Sequence, residues 1–116
     1  MRLGHLMLCD QREGQSPQKR YEEMMEEVRL MDELGYWSVW FAEHHFDGYS
    51  LIPDSLLWCA AAARETKQIR LGAGVVVLPF HHPVRAAEQA AMVDCLSDGR
   101  LLLGVGRGYQ PHEFAG

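Results

Sequence analysis

The chain has 116 residues, of which 47% are hydrophobic and 23% are charged, a composition typical of one globular domain. Its formal net charge of −5 argues against a nucleic-acid partner, because such proteins carry clustered Lys and Arg. Neither a run of about eighteen apolar residues nor a signal-peptide pattern is present, so we expect no membrane span and a cytoplasmic location. Cys9, Cys59 and Cys95 are too widely spaced for a disulfide framework or a metal site, and we expect buried free thiols.

Apolar runs alternate with helical patterns along the chain. In order, the pattern predicts a strand at 3–9, a helix at 17–34, a strand at 37–42, a helix at 54–64, a strand at 69–77, a helix at 83–96 and a strand at 101–105. Ser16 and Pro17 supply an N-cap and a first residue for the first helix, and Gly35 ends it. Asp54 caps the second helix, and Pro83 begins the third.

This alternation of strands and helices predicts right-handed crossovers and a parallel sheet. The strands are apolar on both faces, as Leu101, Leu102 and Leu103 show, which is typical of a sheet covered on both sides. The pattern alone fits either a doubly wound sheet or part of a (β/α)8 barrel. A complete barrel needs about 250 residues. On the barrel interpretation, this α/β chain holds the first four strands and three helices of a truncated TIM barrel, and residues 1–116 are its incomplete N-terminal half.

Polar side chains collect where the predicted strands end. They follow the second, third and fourth strands and comprise Glu43, His44, His45, His81, His82, Arg107, His112 and Glu113. In parallel α/β folds, the C-terminal ends of the strands form the rim that holds the active site. Five of the six histidines therefore lie where we expect chemistry.

His44 and His45 are adjacent in an extended segment, where neighbouring side chains point to opposite faces. At most one of them should point into a site, where an imidazole could donate a hydrogen bond or exchange a proton near neutral pH. The alternative is a pair of hydrogen-bonded structural histidines. We expect no metal site, because adjacent ligands at 43–45 do not easily converge on one ion and no HxH or HExxH spacing occurs.

Two glycine-rich segments accompany the last two strands. The GVGRG segment at 104–108 permits a close backbone approach, and Arg107 offers a fork of donors that matches phosphate oxygens. A glycine-rich turn with a surface arginine explains the same residues. Gly72 and Gly74 interrupt the third strand, which indicates a bulge, a flat ligand lying against the backbone, or relief of crowding inside a barrel.

These segments, in this order, resemble the bacterial luciferase family of flavin-dependent monooxygenases. The matching text is WFAEHHF at 40–46, the strand at 72–79, HPVR at 82–85, Ala87-Glu88, Asp94, Leu96-Ser97, Gly99-Arg100 and GVGRG at 104–108. The resemblance runs from the first strand to the last residue. It implies a (β/α)8 barrel that uses reduced FMN or, in some branches, the deazaflavin F420. For the oxygenase branch it implies that one oxygen atom of O2 enters a small organic substrate, with a flavin reductase as partner and a homo-oligomer as the assembly.

The resemblance also implies roles for individual residues. His44 matches the family's catalytic histidine near the flavin. Gly74 and Val75 fall where the family often has a non-prolyl cis peptide bond that supports the isoalloxazine. Arg107 matches a ligand of the flavin phosphate, and the adjacent Gly106 belongs to the same cofactor-binding segment. Because Gly106 stands where luciferase proper has a reactive cysteine, the resemblance favours a general oxidoreductase over light emission.

Three hypotheses remain open at this point. The first is an FMN-dependent monooxygenase, the second is an F420-dependent dehydrogenase of the same fold, and the third is an inactive truncated fragment that only self-associates. The sequence downstream of residue 116 separates the first two from the third. The choice between FMN and F420 depends on which reduced cofactor binds.

Overall fold

The computed structural model describes residues 1–115, which form four strands and three α-helices. In chain order these are β1 (Gly4–Met7), α1 (Pro17–Glu33), β2 (Ser38–Phe41), α2 (Ser55–Glu65), β3 (Arg70–Val77), α3 (Pro83–Leu96) and β4 (Leu101–Gly106). All seven elements agree in type and order with the sequence prediction. Two 3-10 helices, Leu78–Phe80 after β3 and Pro111–Phe114 after β4, were not predicted.

The helix boundaries follow from local chemistry. Ser16 precedes α1, and its hydroxyl oxygen accepts a hydrogen bond from the backbone N–H of Lys19 at 3.2 Å. Asp54 accepts one from the N–H of Leu57 at 3.0 Å and so caps α2, which confirms both predicted caps. Gly35, with φ +78°, reverses the chain after α1, a conformation that glycine adopts without strain. No helix within residues 1–115 is long and apolar enough to cross a membrane.

The four strands form one parallel sheet in the order β1-β2-β3-β4. Register pairs Met7 with Phe41, Phe41 with Ala73, and Ala73 with Leu103, so these residues share a face. The helices cover this face along β1, β2 and β3, where Phe41 and Ala73 are fully buried in the core, whereas Leu103 on β4 is 51% exposed. Burying a side chain such as Phe41 contributes about 1.5–3 kcal/mol.

The opposite face of the sheet carries Trp40. Its indole N–H donates to the hydroxyl of Ser38 at 3.0 Å, and the ring lies over Gly72 and Gly104. A Cβ atom at Gly72 would overlap Cδ2 of the Trp40 ring. Relief of crowding therefore explains Gly72, since the indole occupies the space beside this glycine.

A bulge, one of the alternatives that the two glycines indicated, is present in β3. The pairing of β3 with β4 shifts between Ala73 and Val76, and the peptide bond between Gly74 and Val75 is cis, as the resemblance implied. The side chain of Val75 extends towards β4, where a Cβ atom on Gly106 would lie 2.7 Å from Cγ2 of Val75. Glycine at 106 thus makes room for Val75.

Asp32, near the end of α1, ties this helix to the start of β3. Its carboxylate accepts hydrogen bonds from the backbone N–H groups of Lys67, Gln68 and Ile69 at 2.7–2.9 Å. Burial acts to raise the pKa of Asp32, but these three bonds and the nearby Arg100 outweigh it and hold the pKa below its usual range.

The expectation of buried thiols is correct at two positions and wrong at the third. Cys9 and Cys59 are buried, whereas Cys95 is exposed. Burial raises the pKa of the Cys59 thiol to about 12, because a thiolate is poorly solvated in the core. Cys95 lies at the end of α3, on the surface of that helix.

Candidate functional site

The C-terminal ends of β2, β3 and β4 bring together the polar residues that the sequence placed on one rim. Glu43 and His44 follow β2, His81 follows the 3-10 helix after β3, and Glu113 lies in the 3-10 helix after β4. The side chains of Glu43 and Glu113 are only 1% and 2% exposed. A buried carboxylate must be paired with donors, and both of these are paired with histidines.

Glu113 holds His44. Its Oε1 atom accepts hydrogen bonds from Nδ1–H of His44 at 2.9 Å and from the backbone N–H of His45 at 3.0 Å. An ionised carboxylate only accepts hydrogen bonds, so the network assigns the proton of a neutral His44 to Nδ1. The lone pair then lies on Nε2, which makes that atom the basic position of the ring.

Glu43 joins two further histidines. Its Oε1 atom lies 3.0 Å from Nε2 of His45 and 3.0 Å from Nε2 of His81, so both rings present Nε2–H to the same oxygen. Its other oxygen, Oε2, is buried and has no hydrogen-bond partner among the described residues. The loops that follow β2 and β3 are therefore joined through one carboxylate oxygen.

Aromatic contacts hold the 3-10 helix Pro111–Phe114 against the rim. Phe114 packs on Phe80 with ring centroids 4.6 Å apart, and Phe80 packs edge-on to His45 at 4.7 Å. The chain reaches this position because Gly108 has φ +73°, and a Cβ atom there would lie 2.9 Å from the Phe114 ring. Glycine is therefore required at 108 for the packing that brings Glu113 to His44.

His112 makes a separate, more exposed contact. Its Nε2 atom lies 2.9 Å from Oδ2 of Asp47. Desolvation acts to raise the pKa of Asp47, but hydrogen bonds from the N–H of Tyr49 and from His112 hold it below its usual value.

Two cavities lie on this rim. One, of 560 Å³, contains His44 and His45 in its lining. The other, of 430 Å³, is lined by Leu78, Pro79, His81, Pro83, Gly106 and Arg107. Both volumes lie within the roughly 300–1,000 Å³ of small-molecule sites.

The sequence predicted that these polar residues lie together on the rim, but it did not predict which side chains pair with one another. His44, Gly106 and Arg107 line the two rim cavities. The sequence grouped Glu43 and Glu113 with the rim without giving them roles, yet they bind the histidines. No group of three or more His, Cys, Asp or Glu side chains in residues 1–115 is arranged to hold a metal ion.

His82 does not join the histidine cluster. It is exposed and precedes α3. The rim therefore brings together His44, His45 and His81 through carboxylates, while His112 binds Asp47.

The family model and two of the relatives that match this chain are described as monooxygenases. Residues 1–116 match the family model for luciferase-like monooxygenases. The chain is 38% identical over 115 residues to the oxygenase component of the flavin-dependent trigonelline monooxygenase of Acinetobacter baylyi, covering 98% of this chain and 32% of that protein. It is 42% identical over 84 residues to limonene 1,2-monooxygenase of Rhodococcus erythropolis, covering 72% of this chain and 22% of that protein.

Solved structures agree with the family match. The crystal structure of monooxygenase RslO1 from Streptomyces bottropensis superposes with a TM-score of 0.93 and 37% identity, over 99% of this chain and 36% of that one. The oxygenating constituent of 3,6-diketocamphane monooxygenase from Pseudomonas putida, in complex with FMN, superposes with a TM-score of 0.91 and 28% identity, over 97% of this chain and 31% of that one. The F420-dependent tetrahydromethanopterin reductase of Methanopyrus kandleri shares the fold. It superposes with a TM-score of 0.75 and 24% identity, over 98% of this chain and 29% of that one.

The chain thus spans about a third or less of these relatives. Its four parallel strands and three helices correspond to part of the TIM barrel of these structures, which confirms the predicted fold class. Together, the match over residues 1–116 and these relatives show that the chain belongs to the luciferase-like monooxygenase family.

Proposed function

We propose that residues 1–116 form the N-terminal half of a flavin-dependent monooxygenase barrel and carry part of its active site. The observation that carries this proposal is the buried pair of His44 and Glu113 at the C-terminal ends of the strands. A carboxylate that orients an imidazole and leaves Nε2 free is a recurring arrangement for general acid–base chemistry. Family membership supplies the reaction class.

The residues of the second cavity fit the phosphate of FMN. Arg107 is exposed at the end of β4, and its guanidinium provides up to five N–H donors in a geometry that matches phosphate oxygens. Gly106 lies beside it without a side chain to block the approach. The cis peptide Gly74–Val75 would provide backbone against the isoalloxazine. When bound, the reduced flavin supplies the electrons with which O2 is activated to transfer one oxygen atom to a small organic substrate.

The protein's own contribution is proton control. Nε2 of His44 accepts a proton during the reaction and returns it afterwards, while Nδ1–H stays bonded to Glu113. The negative charge of Glu113, 2.9 Å from Nδ1, stabilises the imidazolium that forms. Because both side chains are nearly buried, this interaction is weakly screened by water.

We prefer FMN over F420 in this proposal because similar proteins are named as flavin-dependent or were solved with FMN. The trigonelline enzyme, 38% identical, is named as flavin-dependent, and the diketocamphane enzyme was solved with FMN. Both are described as oxygenase or oxygenating components, which supports a separate flavin reductase as the partner that supplies reduced flavin. An F420-dependent dehydrogenase is the alternative outcome of a cofactor-binding test.

The intact enzyme that contains this chain provides the test. We expect His44→Ala to lower kcat by about 10²–10⁴-fold, the usual contribution of general acid–base assistance, while FMN affinity changes little. His112→Ala is the matched control, because His112 lies on the same rim but pairs with Asp47. An unchanged kcat in His44→Ala would remove His44 from the mechanism, and tight binding of reduced F420 in place of FMN would favour the alternative cofactor.

We also propose that the chain, taken alone, self-associates. Within residues 1–115, β1 and β4 each pair with one neighbouring strand, which leaves free N–H and C=O groups at both edges. Leu6, Leu103 and Val105 are each more than half exposed, because nothing in this part of the chain covers them. A second copy meeting edge to edge would bury this surface.

A further inference from the structure

The cavity beside Arg107 contains a second basic side chain. Its lining consists of Leu78, Pro79, His81, Pro83, Gly106 and Arg107. Within the described part of the chain this lining includes two basic residues and no acidic one, although the whole chain carries a net charge of −5. An apolar cavity whose lining carries an arginine and a histidine but no carboxylate favours an anionic ligand.

His81 is held in a fixed orientation within this lining. Its Nε2–H donates to Oε1 of Glu43 at 3.0 Å, and the Glu43 side chain is only 1% exposed. With Nε2 committed to Glu43, Nδ1 is the ring nitrogen available to a ligand. A ring fixed by a buried carboxylate loses little conformational freedom when a ligand binds, as in metal sites where a carboxylate orients the histidine.

The start of α3 adds to the same electrostatic preference. Pro83 lines the cavity and is the first residue of this 14-residue helix. No side chain caps the helix, and its first turn contains no acidic residue. The positive end of the helix dipole therefore reinforces the two basic side chains.

We propose that His81, oriented by Glu43, is a second ligand for the flavin phosphate and acts together with Arg107. This inference rests on the proposed flavin-dependent function and extends it to a residue to which the sequence assigned no role. A protonated His81 donates through Nδ1–H to one phosphate oxygen while Arg107 binds others. Glu43 acts as a positioning residue, since it contacts His81 and not the ligand.

The test compares two neighbouring histidines in the intact enzyme. In His81→Gln the new amide can still donate to Glu43, so the loop keeps its anchor. His82→Gln is the matched control, because His82 is adjacent and exposed and does not line the cavity. A charge-assisted hydrogen bond corresponds to roughly ten- to a hundredfold in affinity. We expect H81Q to weaken FMN binding by about that factor and to leave riboflavin, which lacks the phosphate, within about twofold, with H82Q changing neither.

A second measurement needs no substitution. Inorganic phosphate, titrated into the unmodified protein without flavin, should shift the imidazole NMR resonances of His81 and leave those of His82 in place. This titration decides the question if H81Q fails to fold, in which case riboflavin binding and the melting transition are lost together. A phosphate titration that leaves His81 unchanged would overturn the inference.

Arg107→Ala separates failure of this inference from failure of the proposed function. If R107A loses the preference for FMN over riboflavin while H81Q keeps it, the phosphate site stands and His81 is not part of it. If R107A also keeps the full preference, the proposed phosphate site itself is wrong. If both variants lose it, the double variant should lose less than the sum, because the two side chains share one ligand.

Discussion

Replacing Glu113 with glutamine tests whether the carboxylate does more than fill space. The glutamine side chain has nearly the same volume, and its carbonyl oxygen can still accept both hydrogen bonds, but it carries no charge to stabilise a His44 imidazolium. A hydrogen bond to a charged group is worth about 1.5–3 kcal/mol. If the negative charge strengthens that bond only when His44 is protonated, loss of the charge raises the activation barrier by about this amount. The predicted effect of E113Q is therefore a fall in kcat of roughly ten- to a hundredfold.

Glu113 also has a structural role that Ala substitution exposes. The same oxygen accepts the backbone N–H of His45 at 3.0 Å, and Glu113→Ala leaves this part-buried donor without its partner. An unsatisfied donor costs about 1–3 kcal/mol of folding free energy, whereas E113Q should cost less because the amide oxygen remains. His112→Gln on the same 3-10 helix is the control, since its exposed pair with Asp47 should contribute no more than about 1 kcal/mol.

Steady-state turnover and urea unfolding of the same three variants separate the two roles. E113Q should lose turnover with little loss of stability, E113A should lose both, and H112Q should lose neither. The dependence of kcat on pH should change in E113Q but not in H112Q, because Glu113 hydrogen-bonds to His44 whereas His112 pairs with Asp47. A normal kcat in E113Q, or a loss of turnover that merely follows the unfolded fraction, would refute the proposed role.

Three further predictions concern other parts of the chain. Arg107→Ala should weaken FMN binding about ten- to a hundredfold and riboflavin binding much less, and equal losses would give Arg107 a structural role. Asp32→Asn should lower the free energy of unfolding by about 1–3 kcal/mol at pH 7. Because folding lowers the pKa of Asp32, this stabilisation is fully present above the pKa of the unfolded chain, about 3.9, and is lost as pH falls through the folded-state pKa. Urea unfolding should therefore give the wild-type protein and D32N the same free energy of unfolding only in strong acid. Sedimentation of the isolated chain should show dimers or larger species, and flavin titration should show weak binding; a compact monomer that binds FMN at about micromolar concentration would contradict this.

The fold could be predicted because its determinants are local. Alternation of apolar runs with helical spacing defines the order of the elements, and Ser16 and Asp54 mark helix starts through bonds that span only three residues. A parallel sheet then follows from the handedness of the crossovers. The same reasoning placed the histidines on one rim, because every strand of such a sheet ends at the same edge.

The contacts within the site could not be predicted, because they join residues distant in sequence. His44 and Glu113 are 69 positions apart, and Glu43 and His81 are 38 apart. No local pattern states which carboxylate meets which imidazole. The glycines were ambiguous for a related reason, since only the packed structure shows that Trp40 fills the space over Gly72.

Two buried carboxylates connect the loops of the rim to one another. An ionised carboxylate removed from water costs several kcal/mol unless donors surround it, so Glu43 and Glu113 each hold their histidines firmly. Glu43 joins the loops after β2 and β3, and Glu113 joins those after β2 and β4. A shift between the loops after β2 and β4 would therefore separate Glu113 from both of its donors, and a shift of the loop after β3 would leave Glu43 with His45 alone. The cavity lined by His44 and His45 and the cavity lined by His81 and Arg107 are thus held in their relative positions by contacts within residues 1–115.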